Sequence, residues 1–372
     1  MSKSSSSLKP NEAVRVLRLR IKDKHAGALN DMAYWVNQVW NYCNELSYRV
    51  WQRERRFLSG YDFAPYTKGA AKEGVALHSQ TIQAVSEEYA IRRKQFRKVR
   101  LNWRVSSGAR RSLGWIPFKA SALRYRNGQV WFFGIDQPLS LWDSYGLGQY
   151  DLGPGSICQD ARGRWYLNVS VKVVKEGAGA RAAMGDVGID LGLKDFATCS
   201  DGLVIESRRI YRGAEQALAK AQRANKKRQV KRINAQISNR RKEFHHQLSR
   251  RLVNDHAAIF VGDVNAAALA KTNMAKSVLD AGWSAFRTML RYKCDSAGVW
   301  FEEVDEAFST QDCSACGARS GPKGLQELGS MFTEHAKAWS CTCGAHHDRD
   351  VNAARNILRR GRATLAVGIP VV

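Results

Sequence analysis

Four of the eight cysteines come in two close pairs, Cys313-x-x-Cys316 and Cys341-x-Cys343, and glycine follows each pair at once, as Gly317 and Gly344. Two knuckles of this kind present four thiolates tetrahedrally and close the coordination sphere of a structural zinc ion, Zn2+. His335, His346 and His347 lie near enough to replace a cysteine, although the knuckles already supply four ligands. Cys43, Cys158, Cys199 and Cys294 are scattered and read as ordinary core residues. Such bunching in a chain of this length speaks for a metal cluster and against a disulfide framework.

Two aspartates stand out next. Asp190 lies inside the apolar run DVGIDLG, where a lone charge is costly unless it meets a cation or a partner. Asp350 opens DVNAARNIL at a helix start, crowded by Asp348 and Arg349. Two acids from distant parts of a chain, each on an apolar element, suit a two-metal nuclease. There carboxylates hold divalent ions, Mg2+ or Mn2+, roughly 4 Å apart around a scissile phosphate. Either aspartate alone reads equally well as a helix cap or an ion-pair member, so the expectation rests on the combination.

The charge agrees with a nucleic-acid substrate. The 372 residues hold 59 Lys+Arg against 34 Asp+Glu, a formal net charge of +25, which implies a polyanionic partner. Arg92, Arg93, Lys94, Arg97, Lys98 and Arg100 form one basic run, interleaved with Phe96 and Trp103. Between Lys220 and Arg251 there are twelve basic residues and one acid, Glu243; the set includes Lys226, Lys227, Arg228, Lys231, Arg232, Arg240 and Arg241. Runs of this kind are often only solvated helix faces. Here the net charge favours a surface that tracks a phosphate backbone, with affinity falling steeply with salt. No stretch approaches the roughly 18 apolar residues that a membrane span needs, and MSKSSSSLKP lacks the apolar core of a signal peptide. The expectation is therefore a cytoplasmic protein with no membrane partner. A hydrophobic content of 44% excludes a disordered basic tail.

The elements that must position these residues follow from periodicity. Residues 13–22, AVRVLRLRIK, alternate as a half-buried strand does, and its partners come much later, in the short strands of 113–175 with Asn127-Gly128 as a hairpin turn. This predicts a small β-barrel split in sequence. Helical spacing fills 25–58 and 76–101, with Met32, Trp35, Val36, Val39, Trp40 and Cys43 on one face. After a Gly/Ala-rich joint at 177–185, DVGIDLGLKDFATCSDGLVI reads as strand, turn and strand, like the opening hairpin of an RNase H-like sheet. Residues 213–252 then read as one long helix. The strands AAIFVGDV and GVWFEEVDE follow, separated by a helix that contains Trp283, Phe286, Met289 and Leu290.

At these residues the chain resembles a known family. GIDLG around Asp190, LAKTNMAKSVLDAGW from Leu269, STQDCSACG from Ser309 and HDRDVNAARNIL from His347 are similar to the TnpB (OrfB) proteins of insertion sequences, relatives of the type V CRISPR effectors and Fanzors. The motifs cover the C-terminal half; over the N-terminal half the likeness is one of layout. It implies an α/β chain with a RuvC-like (RNase H fold) nuclease core, an inserted zinc ribbon, a split β-barrel wedge domain and a helical recognition insert. The expected order is wedge 1–24, recognition 25–105, wedge 106–178, nuclease 179–306, zinc ribbon 307–347, and nuclease with tail 348–372. The implied function is that of an RNA-guided DNA endonuclease. It would bind a guide RNA from its own element, find a short motif beside the matching double-stranded DNA, and cut. The resemblance makes Asp190 the first catalytic aspartate and Asp350 the last, ahead of Asp348.

One departure matters. Where the family carries a glutamate at the end of the fourth strand, this chain has Val261-Gly262-Asp263. Strand side chains alternate faces, so if position 262 faces the metals, Asp263 faces away. Glu306, at the end of the fifth strand, is the candidate replacement, since parallel neighbouring strands end roughly 5 Å apart and glycine leaves room. The missing acid also suits a nuclease-dead, RNA-guided repressor. A DNA-joining transposase is a further reading, and the oligomeric state stays open.

Overall fold

Alternation makes Glu12–Ile21 (β1) a strand whose inner face, Leu17, Leu19 and Ile21, is fully buried. The computed structural model describes residues 9, 11–175, 184–322 and 338–368. His335 and almost all of the 177–185 joint lie outside the described residues. The chain divides into two compact units that meet in sequence at 173/174, with residues 9 and 11 counted in the second.

In the first unit β1 leads into α1 (Ala26–Glu54), a short α2 (Ala64–Thr67) and α3 (Ser79–Phe96). Then come β2 (Trp115–Phe118), β3 (Leu123–Arg126), β4 (Gln129–Phe132), β5 (Leu141–Trp142), β6 (Leu152–Gln159) and β7 (Trp165–Val174). The strands distant in sequence share one sheet of order β2-β6-β7-β1-β5. Among the described residues no ladder joins β2 to β5, so the sheet does not close into a barrel. β3 and β4 form a separate hairpin in which Asn127 and Gly128 take φ 51° and 74°, the left-handed pair that an Asn-Gly turn supplies. α1 buries Met32, Val36, Val39, Trp40 and Cys43, the stripe that its spacing predicts.

The second unit opens with β8 (Asp186–Leu191), β9 (Asp195–Cys199) and β10 (Val204–Glu206), all antiparallel. The basic stretch follows, but as two helices, α4 (Ile210–Arg223) and α5 (Lys227–Asp255). This corrects the expected single helix over 213–252. Asn225 breaks it with φ 51°, a conformation asparagine tolerates better than most residues, and the helices fold against each other through Leu218, Ala221, Ile233 and Ile237.

Next are β11 (Ala258–Gly262), α6 (Ala266–Leu269), α7 (Ala275–Ala281), α8 (Trp283–Ala297), β12 (Trp300–Val304), the hairpin β13 (Ala338–Ser340) and β14 (His346–Asp348), and α9 (Arg349–Gly368). The sheet order is β10-β9-β8-β11-β12, with β8, β11 and β12 parallel. One face packs Val187, Ile189, Ile259 and Val261 against Leu248, Leu252, Phe286 and Leu290 of α5 and α8. The other packs Ala258, Phe260 and Val304 against Ile357 of α9. Among the described residues no helix is long and apolar enough to cross a membrane.

Candidate active site and metal centre

The carboxylates are placed by how α9 lies on the sheet. Asp186, at the start of β8, pairs with Arg362 near the far end of α9 at 2.9 Å. A Cβ on Gly188 would stand 2.2 Å from the Ala354 carbonyl, so helix and strand touch backbone to backbone there. The helix therefore runs antiparallel to the strand. From Gly188 to Asp190 the strand advances roughly 6.6 Å. From Ala354 back to Asp350 the helix recedes roughly 6 Å, so both aspartates reach the same end of the sheet. Asp190 also shares the α9 face with Gly188, because alternate strand residues point the same way. Asp348 caps α9 instead, since its Oδ1 accepts the N–H groups of Asp350 and Val351, each at 3.0 Å.

Glu306 arrives from the neighbouring strand. β11 and β12 are in parallel register with Gly262 opposite Val304, and Glu306 lies two residues beyond that pair. A Cβ on Gly262 would meet Glu306 Oε2 at 2.5 Å, Ile357 Cδ1 at 3.2 Å and Glu306 Cβ at 3.4 Å. The carboxylate of Glu306 thus fills the space that a side chain at 262 would need. Burial first, and the charge of Asp263 second, push its pKa above the ordinary glutamate value, while Arg287 opposes them. Asp263 supports this turn, since its Oδ1 accepts the Glu306 N–H at 3.3 Å. Glu303 is engaged elsewhere, paired with Arg287 at 2.9 Å and with Arg291.

The cysteines come closer together than the acids do. The ligand atoms of Cys313, Cys316, Cys341 and Cys343 all lie within 4.8 Å of one another, the only such group of His, Cys, Asp or Glu among the described residues. Cys313 and Cys343 Sγ are 3.8 Å apart and Cys316 and Cys341 Sγ 3.6 Å. Tetrahedral Zn–S bonds of about 2.3 Å require sulfurs roughly 3.8 Å apart, so the set fits zinc. Gly317 and Gly344 take φ 82° and 88°, which lets each knuckle fold back on its cysteine. The backbone amide of Cys343 and then the Ser320 hydroxyl hold the Cys341 thiol down to about 5. His347 Nε2 lies 3.0 Å from Cys313 Sγ, and its ring packs on Trp339 with centroids 4.6 Å apart. It stands beside Cys313 as a hydrogen-bond partner, outside the group of four sulfurs.

Sequence reasoning missed what ties the two sites together. Asn352 and Asn356, both buried, donate through Nδ2 to the carbonyls of Ser309 and Asp312 at 2.6–3.2 Å. Asn352 Oδ1 accepts the Ser314 N–H at 2.8 Å, and Arg360, one turn further on, holds the carbonyls of Asp305 and Ala307 at 2.8 Å. This i, i+4, i+8 stripe clamps the segment from Glu306 to the first cysteine knuckle onto the helix whose first turn holds Asp350. The spacing was visible in DVNAARNILRR, but its partner was not.

The basic residues divide into two groups. Arg92, Arg97, Lys226, Lys227, Arg228, Lys231, Arg232 and Arg240 are exposed. Arg93 and Arg241 are corrections. Arg93 is 8% exposed, with its guanidinium 3.8 Å above the Phe57 ring, because its helical position faces inward. Arg241 is bound at 3.0 Å to the buried Asp280, which also accepts the Tyr211 N–H.

Comparison with known proteins adds the following. Residues 283–357 match the family model "Cas12f1-like, TNB domain" and residues 171–273 the model "Probable transposase". A "Putative RNA-guided DNA endonuclease" of Streptomyces pristinaespiralis is 32% identical over 367 residues, covering 93% of this chain and 88% of that protein. "Putative RNA-guided DNA endonuclease InsQ" of Escherichia coli (strain K12) is 28% identical over 235 residues, covering 55% of this chain and 56% of the other. The chain also superposes on the protein of the "Cryo-EM structure of the Cas12f1-sgRNA-target DNA complex" with a TM-score of 0.58 at 12% identity, covering 93% and 99% of the two chains. That last likeness is one of fold.

Proposed function

The chain belongs to the TnpB family of transposon-encoded proteins, and from that membership we propose that it is an RNA-guided DNA endonuclease that cuts double-stranded DNA matching a bound guide RNA. The observation that carries the reading is Glu306 in the space left by Gly262, at the end of the sheet that Asp190 and Asp350 also reach. The second unit is then a RuvC-like core of the RNase H fold with its zinc ribbon. The first is the wedge with the helical recognition insert.

Asp190, Glu306 and Asp350 would hold Mg2+ or Mn2+, which supplies Lewis-acid activation of water and charge neutralisation at the phosphate. Glu306 is kept ready by the Asp263 hydrogen bond to its backbone, and Asp350 by the Asp348 cap. Cys313, Cys316, Cys341 and Cys343 would hold Zn2+ as a closed structural site, in a reducing cytoplasm where thiolates persist. The exposed cations of α5 grip backbones, and base pairing with the guide reads sequence. Gly262 alone favours the second reading, a repressor that binds without cutting. Two results test the proposal: a discrete RNA retained on the purified protein, and Mg2+-dependent cutting of matched DNA. Absence of both would favour the DNA-joining reading.

A further inference from the structure

The C-terminal end of α1 and the residues that follow it carry aromatic rings outside the apolar core of their unit. Tyr48, Trp51 and Phe57 stack with centroids 6.3 and 6.4 Å apart and planes within 17° and 18° of parallel. The apolar core of their unit takes Val50 and Leu58 from this stretch and none of these three. Arg55 lies over Trp51 at 4.5 Å, and Arg100 reaches both Tyr48 at 5.0 Å and Trp103 at 5.1 Å. Phe57 is 43% and Trp103 48% exposed, Tyr48 and Trp51 are half-buried, and the Arg93 guanidinium lies over Phe57 at 3.8 Å. The result is a surface row of π faces alternating with guanidinium planes.

Cation–π pairs at exposed sites are weak and do not by themselves account for Phe57 and Trp103 standing exposed beside the half-buried Tyr48 and Trp51. We propose that this row is a stacking track for an unpaired stretch of RNA. Every base offers a π face, and single-stranded RNA stacks on aromatic rings and arginine planes, whereas a duplex hides its faces. Arg55, and Arg100 beside its ion pair with Glu45 at 2.6 Å, bring the positive charge that a polyanion meets. An exposed aromatic row favours a resident partner over a strand that appears only during target opening, so RNA is preferred to displaced DNA. The proposal rests on the RNA-bound reading above and not on cleavage.

The test uses the full chain freed of nucleic acid, with a short oligouridine, the matching oligothymidine and a blunt RNA duplex as ligands. Trp51→Leu with Phe57→Leu keeps apolar bulk and removes the stack. Its affinity for oligouridine should fall roughly tenfold or more, since stacking contributes about 1–3 kcal/mol per base and 1.4 kcal/mol is tenfold. Its salt slope and duplex affinity should stay unchanged. Arg55→Ala with Arg100→Ala should flatten the slope instead, by about 0.7 for each phosphate no longer neutralised. A thermal melt confirms that both variants fold. Unchanged oligouridine affinity, an equal loss on the duplex, or a preference for oligothymidine would overturn the track. Loss of DNA cutting with oligouridine binding intact would bear on the nuclease reading alone.

Discussion

A side chain on Gly262 would begin 2.5 Å from Oε2 of Glu306. The two positions therefore compete for one place at the end of the sheet: either 262 carries the group, or Glu306 reaches in over a glycine. Gly262→Ala tests this without adding an acid. The far end of Glu306 and the Ile357 methyl can give way, so the urea midpoint should hardly move. Cleavage should fall by about a hundredfold, the scale on which a misplacement of about 1 Å costs rate. Unchanged cleavage would mean that this carboxylate's position is irrelevant.

The clamp on α9 links the four-cysteine cluster to the acids. Cys313→Ser should release the metal and slacken the segment that Asn352 and Asn356 hold, so zinc content and cleavage should fall together. Wild-type protein without stoichiometric zinc would show that the four cysteines serve another purpose.

Lys226, Lys227, Arg228, Lys231 and Arg232 make no ion pair among the described residues and stand exposed. Changing all five to Ala should weaken nucleic-acid binding without altering sequence preference, and should flatten the salt slope by about 0.9 for each duplex phosphate released. A slope identical to wild type would return this face to solvent.

His245 gives the second unit a pH dependence. It is buried among Phe196, Phe244 and Phe286, with Nε2 2.9 Å from the Ala281 carbonyl, and burial pushes its pKa down to about 4. The fold therefore prefers the neutral ring. Its contribution is full above the ordinary value of 6.5 and is lost as pH falls from there toward about 4. His245→Phe should lose one hydrogen bond, about 1 kcal/mol, at neutral pH and should destabilise less than wild type on acidification. An equally steep loss in the variant would place the proton elsewhere.

Features with a local cause were legible in the sequence. The Asn127-Gly128 turn, the α1 stripe and the knuckle spacing each follow from period or residue type over a few positions, whereas the parallel neighbourhood of Gly262 with the end of β12 came from the resemblance to an RNase H-like sheet. What depended on a partner was not. Arg93 has the composition of a surface cation and the helical position of a core residue, and position prevailed. Arg241 found Asp280, and Asn225 split a continuous helical pattern because the two halves pack on each other. Asn352 and Asn356 have their partner, the Asp312 carbonyl, only in the fold.

The most direct measurement compares wild type with Glu306→Gln as ribonucleoproteins, on a plasmid library that carries a guide-matched target beside randomised bases, in Mg2+ and separately in Mn2+, with bound targets captured and new ends sequenced. Wild type should produce ends next to a recurring motif. The variant, like Asp190→Asn and Asp350→Asn, should capture the same targets and produce none, because the amide keeps the size and loses the charge that would hold the metals. Equal cutting by the variant would remove Glu306 from the site, and capture without ends by wild type in both metals would make the protein a guided repressor.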